Sequence, residues 1–115
     1  MQYMFLIYSA EGSGPQPGTD EFDTMMKGYY AFSQEMTENG KMQGGAPLES
    51  VTNATTVRVP NGKADVTDGP FAETKEVLGG YYLLECADLD EAIACAAKIP
   101  TAAYGSIEVR PVMSM

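Results

Sequence analysis

A chain of 115 residues with sixteen acidic and seven basic side chains carries a formal net charge of −9 at pH 7 and has a pI near 4.2. One domain fits that length, and such a charge repels nucleic-acid phosphates and anionic membrane surfaces, so neither is an expected partner. Histidine is absent, which removes the commonest general base, the commonest metal ligand and every Ser-His or Cys-His arrangement. With only two cysteines and no CxxC, neither a metal nor a cofactor is expected.

Residues 3–8, YMFLIY, read as a strand. Tyr3, Phe5 and Ile7 alternate with Met4, Leu6 and Tyr8, so both faces are apolar, the pattern of a central strand covered twice. The run is too short to span a membrane. No positively charged start precedes it, so no signal peptide is expected and the protein is placed in the cytoplasm. Residues 9–19, rich in Gly, Pro and Ser, read as a loop. A helix is predicted from about Asp20 to Asn39, with Phe22, Met25, Met26, Tyr29, Phe32 and Met36 on one apolar stripe that reads as core. Thr19 or Asp20 caps its start and Gly40 its end.

Residues 41–50, with Gly and Pro, suggest a short irregular strand. ATTVRVPNGKADVTDGP then reads as a hairpin, with TTVRV and ADV as strands about an Asn-Gly turn. GGYYLLECA, residues 79–87, is the next strong strand. A second helix follows, capped by Asp88 with Glu91 three residues on, its inner face formed by Leu89, Ala92, Ile93 and Ala96, and ended by Pro100. DLDE at 88–91 resembles a metal-ligand run but lacks the glycine and distal glutamate of a calcium loop, and reads as a cap. GSIEVRPV, residues 105–112, is the last strand. Cys86 and Cys95 read as reduced, buried thiols.

Strand, helix, hairpin, strand, helix, strand is the order of a ferredoxin-like split βαβ fold, an α+β domain with two helices on one face of an antiparallel sheet. The second face needs a cover, because the first strand is apolar on both sides. A second copy of the chain, packed sheet to sheet in a homodimer, supplies it most simply.

Alternation along the strands sorts the polar side chains. Ile107 and Val109 should face the helices, leaving Ser106, Glu108 and Arg110 on the other face together with Tyr81, Leu83 and Glu85. With Arg58 from the hairpin, Glu85, Glu108 and Arg110 form an expected polar cluster near Tyr8 or Tyr81. Two uses are open: Glu–Arg pairs that lock the sheet or the dimer, or a pocket in which an arginine receives a carboxylate and a glutamate moves a proton. DGPFAETKE, residues 68–76, reads as a turn, with Gly69 before Pro70, Asp68 bonding nearby N–H groups and Phe71 anchoring the loop in the core. Asp68 and Lys75 could equally stand at the mouth of a cavity. The candidate ligand-binding set is therefore Arg58, Asp68, Lys75, Glu85, Glu108 and Arg110.

The run RVPNGKADVTDGPFAETKEVLGGYYLLECADLDEAIACAAKIP, followed by GSIEVRPV, closely resembles the DGPF branch of the YCII-related family. YMFLIY and NGKMQGGAPL fit as well, so the likeness spans nearly the whole chain. The resemblance implies a ferredoxin-like dimer in which two sheets pack into an α+β barrel. It also implies a link to extracytoplasmic-function sigma factors, beside which or fused to which DGPF members often occur, and so a regulatory interaction module as one reading. Some YCII relatives are lyases or dehydrochlorinases that use a His–Asp pair on small chlorinated, carboxylated substrates. Tyr104 stands where many relatives carry a histidine, so that chemistry does not carry over. The leading expectation is a cytoplasmic homodimer that binds a small organic anion in a polar cavity. The enzymatic alternative is a histidine-independent lyase or isomerase, with Asp68 or Glu108 as base, Tyr81 or Tyr104 as acid and Arg110 as anion clamp.

Overall fold

A computed structural model describes residues 1–115. Strand β1 (Gln2–Ser9) leads through the loop to helix α1 (Asp20–Glu38) and then to strand β2 (Met42–Pro47). Strands β3 (Thr55–Arg58) and β4 (Asp65–Asp68) follow, then β5 (Val77–Glu85), helix α2 (Leu89–Ala96) and β6 (Ser106–Pro111). The main sheet is antiparallel with order β2-β5-β1-β6, and β3 and β4 pair only with each other. This is the ferredoxin-like α+β plan, with one rearrangement. Glycine-rich β2 fills the edge position, and the hairpin leaves the sheet as a separate two-stranded ribbon inserted between β2 and β5.

Local chemistry sets the helix ends. Thr19 Oγ1 accepts from the Phe22 N–H at 3.1 Å, and Asp88 Oδ1 accepts from the Glu91 N–H at 2.9 Å. Glu91 reaches back to accept from the N–H of Ala87, one residue before the cap, at 3.2 Å, a variant of the capping box. Acids in both first turns complement the helix dipoles. Gly40, at φ 71°, ends α1 by sending the N–H of Lys41 to Met36 O and its own to Thr37 O, the Schellman pattern. No helix is long and apolar enough to cross a membrane.

All the fully buried apolar side chains lie on one side of the sheet. Tyr3, Phe5 and Ile7 of β1 and Leu84 and Cys86 near the end of β5 meet Phe32 and Met36 of α1. The α1 stripe therefore divides: its C-terminal half is core, while Phe22, Met25, Met26 and Tyr29 stay half-buried. On α2 the inner face is Ala92, Cys95 and Ala96, continued by Ile99, whereas Leu89 and Ile93 are exposed. Small side chains let this short helix approach closely, and a different helical stripe thereby turns inward than the bulky residues indicate. Cys86 and Cys95 are free and buried. Burial, and Cys95 beside it, push the Cys86 thiol up to about 11.

The shape is that of an open layer. The radius of gyration is 16.0 Å with extents of 46 × 42 × 20 Å, against about 13 Å for a compact domain of this length. Only 13 of the 115 residues are buried. One side of the sheet has no cover, and the ribbon projects.

Candidate ligand-binding site

Strand register builds the open face in rows. Across β2, β5, β1 and β6 run Gly44, Leu83, Met4 and Arg110, and beside them Ala46, Tyr81, Leu6 and Glu108. A third row places Leu78, Tyr8 and Ser106 side by side, and Glu85 lies opposite Gln2 at the far end. Met4, Leu6, Tyr8, Leu78, Tyr81 and Leu83 thus make a half-buried apolar field, and Glu85, Glu108 and Arg110 share its face, as alternation predicts.

These charges do not form one cluster. Arg110 bonds Glu108 two residues away on the same strand, with Arg110 exposed and Glu108 half-buried. Glu85 pairs with the amino group of Met1. Arg58 belongs to the ribbon, opposite Asp65, is exposed and joins no ion pair. The reason is non-local: β3 chose β4 and not a strand of the main sheet.

The DGPFAETKE stretch rims a cleft. Asp68 ends β4 opposite Thr55. Gly69 sits at φ 96°, a conformation that only glycine adopts without strain. Its N–H donates to Ala54 O at 2.7 Å and its carbonyl accepts from Thr56 Oγ1 at 2.8 Å, which fixes the loop to the base of the ribbon. At the other end Glu76 accepts from Ser106 Oγ at 2.7 Å, tying the loop to β6. Phe71 does not anchor in the core. It is 77% exposed and stands at the rim, because the loop spans the gap between ribbon and sheet with nothing packed beneath it. Between them opens a cleft of about 770 Å³ whose inner wall is Tyr8 and Leu78 of the open face. Glu49, Glu76 and several hydroxyls, Thr56 and Thr74 among them, line it, and no basic side chain does.

A second cleft, of about 520 Å³, lies on the opposite side of the sheet, between the N-terminal half of α1 and β5. Tyr104 lines it. Tyr81 touches its edge, although register turns its side chain to the open face beside Leu6. The two tyrosine candidates therefore point to different sides. None of Arg58, Asp68, Lys75, Glu85, Glu108 and Arg110 lines either cleft within a single chain. What the residues alone did not indicate is the wall at 48–56 and the meeting of Tyr29, Tyr82 and Thr101 in the second cleft. Burial raises the Tyr29 hydroxyl above its ordinary pKa, partly offset by its hydrogen bond to Thr101.

The YCII-related domain matches the chain over residues 1–115. The chain belongs to the YCII-related family. An uncharacterised protein of Rhizobium meliloti (strain 1021) is 41% identical over 113 residues, which cover 96% of this chain and 91% of that protein. For this YCII-related chain the family, the α+β sheet and its two helices thus agree.

Proposed function

We propose that this YCII-related chain is a homodimeric ligand-binding domain. Two copies pack open face to open face and close the cleft rimmed by Pro70, Phe71, Ala72, Thr74 and Glu76 over a small organic molecule. The observation that carries this reading is the uncovered apolar field on β1 and β5. Charge argues for the same face. The exposed acids Asp20, Glu21, Asp23 and Glu38 lie on α1, so like copies repel through their helical sides. The open face carries one internally paired Glu–Arg couple and otherwise mostly uncharged side chains. Four strands at ~4.8 Å spacing and six residues at ~3.3 Å make a plane of roughly 400 Å² before side-chain relief. A stable interface takes about 800 Å² per partner. Exposed Val57 and Val66 of the ribbon, with Phe71, are placed to supply the remainder. Two free thiols suit the reducing cytoplasm.

The ligand in this reading is an organic anion. Its counter-charge must come from the second copy, since the cleft's own charges are Glu49 and Glu76. Arg110 and Arg58 are the groups to carry it across. Calorimetric titration of small carboxylates into the wild type, Arg110→Ala, Arg58→Ala and Leu83→Asp tests this. Binding should weaken at least several-fold in one arginine variant and vanish in Leu83→Asp, where the faces no longer meet. Unchanged binding in all three variants contradicts it.

A further inference from the structure

We infer that the cleft between α1 and β5 binds a small, flat, uncharged organic molecule bearing a hydrogen-bonding oxygen, a hydroxyaromatic compound being the simplest type. This site is on the other side of the sheet from the proposed anion cleft and does not rest on the dimer.

Size and charge come first. A volume of about 520 Å³ falls in the ordinary range for small-molecule sites, roughly 300–1,000 Å³. One residue in five of this chain is charged, so sixteen lining positions would carry about three charges by composition alone, and here they carry none. An ion entering such a wall loses its hydration with no counter-charge to replace it. An anion is opposed further by the net charge of −9.

The polar groups that do face the cleft are hydroxyls, and several are poorly used. The Tyr104 hydroxyl donates to the thioether of Met25 at 3.3 Å, a weak acceptor. Ser33 and Tyr82 are 3.4 Å apart, a long contact for two hydroxyls. Ligand oxygens would offer both pairs a better partner. Tyr29 is different, bonding Thr101, which is only 5% exposed, and so forms a fixed polar corner. Because burial raises its pKa, Tyr29 keeps its proton and cannot act as a charged base at neutral pH.

Glycines set how closely the floor and rim pack. A Cβ at Gly45 would stand 2.7 Å from the Tyr82 ring, and one at Gly80 would stand 3.1 Å from Ala46 O. Glycine at both positions leaves room for the protein's own Tyr82 ring and Ala46 carbonyl, so β2 and β5 lie close and the Tyr82 ring is held against the cleft floor. A Cβ at Gly14 would strike the Tyr104 ring, so the β1–α1 loop lies close against that ring and holds it at the cleft. Met25 and Met26 complete a soft, polarisable wall suited to aromatic faces.

The test uses matched probes: 4-hydroxybenzamide and phenol, both uncharged, against 4-hydroxybenzoate, an anion at neutral pH. Each is titrated into the full chain and followed by calorimetry and by amide chemical shifts. The uncharged amide should bind saturably, shift residues around Ser33, Gly45, Tyr82 and Thr101, and bind at least tenfold tighter than the benzoate. Tyr104→Phe, which keeps the ring, should weaken it several-fold without changing the oligomeric mass; Tyr29→Phe should do the same and serves where the first variant folds poorly. Tighter binding of the benzoate, shifts centred on Tyr8 and Leu78, or no saturable binding of either uncharged probe up to about 10 mM would overturn the inference.

Discussion

The helix side of β1 presents Tyr3, Phe5 and Ile7, none more than 8% exposed, while the other side of the same strand presents Met4, Leu6 and Tyr8, all left half-open. The side chains are alike in kind, so intrinsic hydrophobicity does not separate the two faces. Their cover does. α1 and α2 both dock on one side, and the chain holds no third layer. The clefts follow the same division. On the covered side the cleft has an uncharged lining rich in tyrosine, and on the open side it carries glutamates and an exposed loop. A sheet apolar on both faces with helices for one leaves a half-open apolar face, and the proposed second copy is what would complete it.

That contrast can be broken by paired substitutions on one strand. Phe5→Ala empties a site with no exposure and should cost about 3–5 kcal/mol in urea unfolding. Leu6→Ala should cost only about 1 kcal/mol in dilute solution and more as concentration rises, because in the proposed dimer the second copy buries Leu6 fully. Equal, concentration-independent costs would erase the distinction between the faces. Leu83→Asp sharpens it from the other side: placing a carboxylate in the apolar field should weaken self-association about 100-fold by sedimentation, with the helix-side core left folded.

A smaller effect comes from the buried thiols. The folded-state pKa of Cys86 is raised from 9.0 to about 11, so the native state holds this proton more tightly than the unfolded chain does. The contribution is complete below pH 9.0 and is lost as pH rises through the window up to about 11. Stability of the wild type should therefore fall across that window, and Cys86→Ala should flatten the slope; an unchanged slope would place the thiol in ordinary solvent. Smallest is the cap of α2. Asp88→Ala removes the acceptor for the Glu91 N–H and should cost about 1 kcal/mol, read as a modest drop in the urea midpoint.

Much of this was legible in the residues. Strong apolar runs fix β1 and β5, and the caps at Thr19, Asp88 and Gly40 act as their chemistry predicts, because these signals are local. Period-two alternation placed Glu85, Glu108 and Arg110 on one face. Partner choice is where local reading stops. Gly44, Gly45 and Pro47 weaken every strand signal in β2, which exists because β5 offers it an edge. The ribbon's preference for itself took Arg58 away from the other charges, and no periodicity records that choice. Phe71 looked like an anchor by hydrophobicity alone, yet its loop crosses open space. The tyrosine cleft joins Tyr29 to Thr101 across 72 positions, a distance that only the folded chain closes.

Sedimentation equilibrium of the wild-type chain tests the central claim most directly. At concentrations on the order of 10 µM, the account predicts a mass twice 12.3 kDa, tightened by added salt as the like charges are screened. A species of 12.3 kDa that persists through that range would contradict it, because the apolar field on β1 and β5 would then face water.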